Sequence, residues 1–175
     1  MSNFSLYILT LFLQSMVVFN FSPKSDLYNW KIIDDVVMGG RSDGNFKINE
    51  EGHGEFTGAI SLRNNGGFSS LRYNFKTVNS SKFSKFVIRV KGDGKAYQFR
   101  VKDQRNNRYS YIYQFTTTTD WQTIEIPFSK MHASFRGYRL DMPNYSGAQM
   151  EEIAFLIGNK KEENFKLLID AIALE

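Results

Sequence analysis

Apolar and polar side chains alternate with a period of two over much of this 175-residue chain, and this pattern limits its fold more than any other feature. Successive side chains of an extended strand point to opposite faces, so alternation predicts strands with one buried face. The alternating segments are Val17–Phe21, Lys85–Val90, Tyr97–Lys102, Tyr109–Phe115, Trp121–Ile126, Ile153–Ile157 and Phe165–Ile169. No stretch shows the 3.6-residue period of a long amphipathic helix. The sequence therefore predicts an all-β protein.

The aromatic supply indicates how these strands are arranged. The chain has 16 phenylalanines and 9 tyrosines but only 3 prolines, which suits two sheets packed face to face as a sandwich or jelly roll. Asp93-Gly94 separates two strongly alternating segments, and this dipeptide favours a type I′ hairpin between them. The predicted core residues are Phe86, Ile88, Tyr97, Phe99, Ile153, Phe155 and Ile169.

The N-terminal residues differ from the rest of the chain in their lack of charge. Residues 1–23 carry no charged side chain, and residues 4–21 are mostly apolar. An export signal has basic residues and a small-residue cleavage site, and neither is clear here. We expect residues 1–15 to be an appended apolar segment, with the jelly-roll domain at residues 16–175. Three interpretations stay open for the segment: an export signal, a membrane contact, or a start assigned upstream of Met16.

The same N-terminal segment bears on location. A mitochondrial presequence is rich in arginine, and the first basic residue of this chain is Lys24. The sequence therefore argues against a mitochondrial protein, and it favours the cytoplasm over export.

Catalytic constellations are mostly absent from the sequence. The chain has no cysteine, which excludes disulfides, thiolate metal sites and a cysteine nucleophile. Gly67–Leu71 resembles a nucleophile elbow but lacks its closing glycine, and the only histidines are His53 and His132. No D-x-D-x-D-G calcium loop is present, although a calcium ion held by loop oxygens stays open. We expect a protein that is not an enzyme.

One stretch concentrates positive charge. Nine basic and two acidic side chains lie between Lys82 and Arg108, while the whole chain has a formal charge of only +4. Across a hairpin at Asp93-Gly94, the basic residues of both strands would share one surface. Nucleic acid or anionic lipid would suit such a surface, but a solvated outer face is the commoner situation in antiparallel sheets. We therefore do not expect a nucleic-acid partner.

Two glycine-rich segments, around Gly39-Gly40 and around Gly66-Gly67, each follow a short strand. We expect them to meet at one end or edge of the sandwich. Glycines allow tight loops there, and we expect Arg41 or Arg72 to form an ion pair with Asp34 or Asp35. The candidate residues for binding a partner or ligand are Asp34, Asp35, Met38, Gly39, Gly40, Arg41, Ser42, Asn65, Gly66, Gly67, Phe68, Arg72 and Arg136. For Met38, packing in the core is the favoured interpretation, and Phe68 could equally be a core residue.

These segments also carry a family resemblance. Trp30–Ser42 strongly resembles the signature of the complex I intermediate-associated protein 30 family, a Trp followed by an Asp-Val-Met-Gly-Gly-x-Ser core. The similarity runs from about Val17 to the C-terminus. It includes Gly54–Leu62, Asn64–Arg72, Asp120-Trp121, Ile126–Phe128, Phe135–Gly137, Ile153–Ile157 and Ile169-Asp170.

The resemblance implies a galactose-binding-like jelly-roll β-sandwich with no cofactor. It also implies a non-enzymatic protein-binding role in assembly of respiratory complex I (NADH:ubiquinone oxidoreductase), with complex subunits or assembly intermediates as partners. A carbohydrate- or small-ligand-binding module is the alternative, because this fold serves that purpose in many unrelated proteins. Tyr109, Tyr111 and Tyr113 suit either an exposed row that stacks on sugars or a strand that faces the core.

Overall fold

A computed structural model describes residues 14–175 of the chain, and it confirms the all-β prediction. Three single 3-10 turns interrupt the strands, at Asp35–Met38, Arg63–Asn65 and Phe128–Lys130. The strands are β1 Met16–Asn20, β2 Trp30–Asp34, β3 Asp43–Ile48, β4 Gly54–Ile60, β5 Ser69–Asn79, β6 Lys85–Lys91, β7 Ala96–Lys102, β8 Ser110–Thr116, β9 Gln122–Pro127, β10 His132–Phe135, β11 Tyr138–Arg139, β12 Gln149–Ile157 and β13 Glu163–Leu174.

Two antiparallel sheets form the sandwich. The first sheet has the order β3-β4-β13-β6-β9, and β1 pairs with the C-terminal half of β13. The second sheet has the order β11-β10-β8-β7-β12-β5-β2. Neighbouring strands are thus mostly distant in sequence, as jelly-roll connections require.

The inner faces of the two sheets form one core, and the seven predicted core residues are all buried in it. Phe99 of the second sheet is at its centre and is 0% exposed. Its ring centroid lies 4.9 Å from that of Phe86 on the first sheet and 5.3 Å from that of Phe155 on β12. The period of two therefore placed the predicted side chains of β6, β7, β12 and β13 in the core correctly.

The predicted hairpin at Asp93-Gly94 is wrong. The loop carries the chain from β6 in the first sheet to β7 in the second, and β6 pairs instead with β9 and β13. The Asp93 carboxylate holds this crossover, accepting hydrogen bonds from the Tyr97 hydroxyl (3.2 Å) and from the Lys166 backbone N–H (2.9 Å). These two residues belong to different sheets, so Asp93 joins the sheets instead of turning within one.

The expected single basic surface is wrong for the same reason. Arg89 and Lys91 lie on β6, whereas Arg100 and Lys102 lie on β7 in the other sheet. The positive charge between Lys82 and Arg108 is thus divided between the two sheets.

The expected appended segment at residues 1–15, and a membrane contact through it, fall almost entirely on residues 1–13, which lie outside the described part of the chain. Over residues 14–175, no helix has the length and apolar character that crossing a membrane requires.

Replacing Phe99 with Ala is expected to lower the free energy of unfolding by about 3–5 kcal/mol, because it leaves a cavity between the two sheets. Tyr28, which is 83% exposed, provides the control, since Tyr28→Ala removes a side chain with little buried surface. Urea unfolding followed by tryptophan fluorescence measures both. Equal effects of the two substitutions would contradict this placement of the core.

Candidate functional site

The carboxylate of Asp35 joins the two glycine-rich segments. Asp35 is 0% exposed and begins the 3-10 turn that follows β2. It accepts hydrogen bonds from the Ser42 backbone N–H (2.9 Å) and hydroxyl (2.5 Å). It also accepts backbone N–H bonds from Gly67 (2.5 Å) and Phe68 (3.2 Å), which precede β5. One buried side chain thus connects the β2–β3 loop to the β4–β5 loop.

Two glycines make room for this carboxylate. A Cβ atom at Gly40 would lie 2.2 Å from Asp35 Oδ1, and one at Gly66 would lie 2.5 Å from Asp35 Oδ2. Any larger residue at either position would displace the carboxylate from its donors. Close approach to Asp35 therefore explains one glycine of each pair, Gly40 and Gly66.

The hydrogen bonds also affect the ionisation of Asp35. Burial by itself raises the pKa of this carboxyl group, but the hydrogen bonds from Ser42, Gly67 and Phe68 outweigh burial and hold the pKa below its ordinary value. The ionised form is the one that accepts all four bonds. The loops are therefore joined most strongly when Asp35 is charged.

The two segments meet, as expected, but the predicted ion pair is wrong. Among the described residues, neither Arg41 nor Arg72 forms an ion pair with Asp34 or Asp35. Asp35 lies too deep for a solvated guanidinium and is satisfied by backbone N–H groups and a hydroxyl. Asp34 accepts a hydrogen bond from the Gly44 backbone N–H (2.9 Å).

The remaining loop candidates lie around this junction. Arg41 and Asn65 are exposed, and the amide of Asn64 donates to the Gly39 carbonyl oxygen (2.9 Å), which adds a second link between the loops. Gly39 ends the 3-10 turn with φ +89°, a conformation that favours glycine. The backbone of Met38 belongs to that turn, but its side chain lies outside what the structure describes.

Beside this junction, a cleft of about 540 Å³ opens on the outer face of the second sheet. Its lining residues are Ile33, Gly67, Phe68, Arg72, Gln98, Arg100, Arg136, Gly137, Leu156 and Gly158. Four of the predicted candidates, Gly67, Phe68, Arg72 and Arg136, thus come together in one cleft. The candidates on the β2–β3 loop do not line it.

Arg136 enters the cleft from a tight turn. Phe135 pairs with Tyr138 across β10 and β11, so Arg136 and Gly137 form a two-residue hairpin loop. Both have positive φ, +50° and +83°, as a type I′ turn requires. Asn or Gly usually occupies the first of these positions, so an arginine here adopts a conformation that costs about 1 kcal/mol. The Arg136 guanidinium lies 5.4 Å from the centroid of the Phe135 ring.

Sequence reasoning missed the floor of the cleft. Arg100 was seen only as part of a basic stretch, and Gln98 and Leu156 were not singled out for this site. The alternation did indicate that Gln98 and Arg100 face outward, because they occupy the less buried positions of β7. Their neighbours across the sheet depend on β12, which lies some fifty residues further along the chain.

The tyrosine row faces the core. Tyr111 is buried in it, and Tyr109 and Tyr113 pack against it. Phe68 is the single aromatic residue among those that line the cleft. Of the two interpretations of this row, the core-facing strand is therefore correct.

Side chains suited to a metal ion do not converge in the described residues. Over residues 14–175, no group of three His, Asp or Glu side chains is placed to hold one.

The fold and the cleft together define a galactose-binding-like jelly-roll domain with an arginine-lined cleft on one sheet. The family model for Complex I intermediate-associated protein 30 (CIA30) matches residues 19–169. The chain therefore belongs to this family.

Curated relatives agree with this assignment. Complex I intermediate-associated protein 30, mitochondrial, of Mus musculus is 27% identical over 92% of this chain and 56% of its own length. Its Drosophila melanogaster counterpart is 26% identical over 91% of this chain and 62% of its own length. The chain thus spans less than two thirds of either relative.

Among solved structures, the family 11 carbohydrate-binding module of a Clostridium thermocellum cellulosomal cellulase has a TM-score of 0.69 at 20% identity, covering 92% of this chain and 94% of the module. A structure of the Clostridium thermocellum family 11 module with a β-1,3-1,4-mixed-linked tetrasaccharide has a TM-score of 0.68 at 22% identity, covering 91% of this chain and 94% of that one. At this level of identity, the likeness shows a shared fold.

The relatives correct our expectation about location. Both are named as mitochondrial proteins. The expectation of a cytoplasmic, non-mitochondrial protein is therefore contradicted. It rested on the absence of an arginine-rich presequence, and the first residues of a chain are a poor guide when its relatives are longer.

Asp35→Asn is expected to lower the free energy of unfolding by roughly 3 kcal/mol, because it weakens charge-assisted hydrogen bonds and aims an amide N–H₂ at backbone donors. The contribution of Asp35 is fully present above the ordinary carboxyl pKa of 3.8 and is lost as the pH falls through the lower folded-state value. The variant should therefore lose part of the acid dependence of stability. Denaturant titrations between pH 3 and 7 measure this, with the exposed Asp43→Asn as control; a matching loss in both variants would count against the role of Asp35.

Arg136→Asn is expected to leave the free energy of unfolding unchanged or to raise it by up to about 1 kcal/mol, because Asn is favoured at positive φ in a type I′ turn. Thermal unfolding by circular dichroism measures the change. A melting temperature lowered by several degrees would mean that Arg136 is needed for the fold.

Proposed function

We propose that this protein is a non-enzymatic assembly factor that binds a subunit or assembly intermediate of respiratory complex I. Its membership of the CIA30 family supports the role, since both curated relatives carry that name. The relatives that carry this name are longer proteins, and this chain spans 56% and 62% of their lengths.

The cleft on the second sheet carries the proposal in structural terms. It combines apolar side chains from Ile33, Phe68 and Leu156 with the guanidinium groups of Arg72, Arg100 and Arg136. Arginine and aromatic residues are enriched at the centres of protein interfaces, where they contribute most of the binding energy.

The junction at Asp35 supports the same role. It holds Gly67 and Phe68, which form one wall of the cleft, through two backbone hydrogen bonds. A wall held in place before binding loses little conformational entropy when a partner arrives. The surface is therefore suited to holding a partner without catalysis.

Carbohydrate binding is the alternative, and the solved structures with the same fold include carbohydrate-binding modules. Sugar-binding surfaces usually expose several aromatic side chains for stacking. The tyrosine row that suggested such a surface faces the core, which leaves the alternative with the fold as its main support.

Deleting the gene is expected to reduce the amount of assembled NADH:ubiquinone oxidoreductase on native gels, with sub-assemblies accumulating. Wild type and the control Arg108→Gln, an exposed substitution outside the cleft, should restore assembly. Arg136→Asn should restore it poorly although it folds. Normal assembly in the deletion strain, together with a glycan that raises the melting temperature of the purified protein, would favour the alternative.

A further inference from the structure

Three arginines reach the cleft from separate parts of the second sheet. Arg72 on β5 and Arg100 on β7 both pair with Ala154 on β12, so the three residues form one row across the sheet. Strands lie about 4.8 Å apart, which places the two arginine backbones roughly 10 Å from each other. Ala154 is itself only 3% exposed, and Arg72 and Arg100 line the cleft on either side of it. Arg136 faces the same cleft from its turn.

The charges of these arginines are not neutralised by the protein. Over residues 14–175, none of the three forms an ion pair. Arg100 directs Nε and Nη2 at the neutral amide oxygen of Gln98, at 3.0 and 2.7 Å. No acidic side chain lines the cleft.

Glu152 is the carboxylate that acts on this row from outside the cleft. It is 6% exposed and pairs in register with Lys102, one alternate position along β12 from Ala154. It favours the charged form of both Lys102 and Arg100. One carboxylate shared between two cations leaves the cleft with excess positive charge.

Holding Arg100 here is unfavourable for the folded protein. Burial, followed by the positive charge of Arg72, lowers the pKa of Arg100 to about 10, and Glu152 offsets this only in part. Arg100 is half-buried, and its hydrogen bonds go to a neutral amide oxygen. A desolvated cation that no carboxylate pairs directly is unfavourable unless a ligand supplies the anion.

We propose that the cleft binds a carboxylate on the protein partner, in a segment where an Asp or Glu lies beside an apolar residue. The inference rests on the proposed function and gives the chemistry of its binding site. Arg72 and Arg100 donate to the two carboxylate oxygens, a geometry for which the planar guanidinium is well suited. Phe68 and Leu156 contact the neighbouring apolar side chain.

The charge of the cleft argues for this occupant over a neutral one. A neutral glycan would leave the charges of Arg72 and Arg100 unpaired, whereas a carboxylate pairs both. A uronate sugar shares the same chemistry, so the experiment includes polygalacturonate as a separate arm.

A random peptide library selected on the full-length protein tests the proposal without knowledge of the partner. We expect wild type and Arg108→Gln to enrich peptides with Asp or Glu beside an apolar residue. Arg72→Met, Arg100→Met and Arg136→Asn should lose that enrichment. Selected peptides without acidic residues, or no selected peptides, would overturn the proposal.

Fluorescence anisotropy with the best selected peptide then measures the role of the charge. Changing its carboxylate to the matching amide is expected to weaken binding at least tenfold, and raising salt from 50 to 500 mM should weaken it further. Equal binding of acid and amide would overturn the proposal, as would polygalacturonate binding in the absence of peptide binding. Arg100→Met should melt at or above the wild-type temperature, which separates lost binding from lost folding.

The outcomes distinguish this inference from the proposed function. If deletion impairs complex I assembly but the Met variants restore it fully, the assembly role stands and the carboxylate site is wrong. If acidic peptides bind the cleft but deletion leaves complex I intact, the site stands and its partner lies elsewhere.

Discussion

The buried carboxylate of Asp35 is the interaction on which the site depends. It lies between the β2–β3 and β4–β5 loops and receives hydrogen bonds from both, including one from Gly67, 32 residues away in the sequence. The two strands that precede and follow these loops, β2 and β5, also pair directly. The loops and the edge of the second sheet therefore form one rigid unit. Glycine at positions 40 and 66 is a consequence of this arrangement, because only a residue without a side chain fits against the carboxylate.

The cleft follows from this unit and from the register of the second sheet. Asp35 fixes the backbone of Phe68, and the pairing of β12 with both β5 and β7 brings Arg72 and Arg100 to opposite sides of Ala154. The hairpin that carries Arg136 closes the other side. Each element stabilises the position of a side chain, but none neutralises the charge of the arginines. The stability of the fold and the binding of an anion thus make opposite demands on these arginines, and the proposed carboxylate of a partner would satisfy both.

The sequence predicted the faces of the strands better than their neighbours. Alternation alone places Tyr97 and Phe99 in the core, because the side-chain period of a strand is a local property. It cannot show that β6 and β7 belong to different sheets, since the Asp93-Gly94 dipeptide suits a hairpin and a crossover alike. The decisive contact, from the Asp93 carboxylate to the Lys166 backbone, spans 73 residues.

The same distinction applies to the site. The glycine-rich segments and the family signature pointed to Asp35, Gly67, Phe68 and Arg136, all of which contribute to the cleft or its support. The predicted ion pair was wrong because a sequence does not reveal how deeply a carboxylate is buried. Arg100 was missed because its place beside Arg72 depends on a strand far along the chain.

Site-specific photo-crosslinking in cells identifies which face of the protein contacts its partner. A photoreactive phenylalanine analogue at Phe68 lies in the cleft, and the same analogue at Trp121 lies near Arg89 and His53, away from the cleft. We expect crosslinks to a complex I subunit or intermediate from position 68 and none from position 121. Crosslinks from position 121 alone would place the partner on the other side of the protein and contradict a binding site in the cleft.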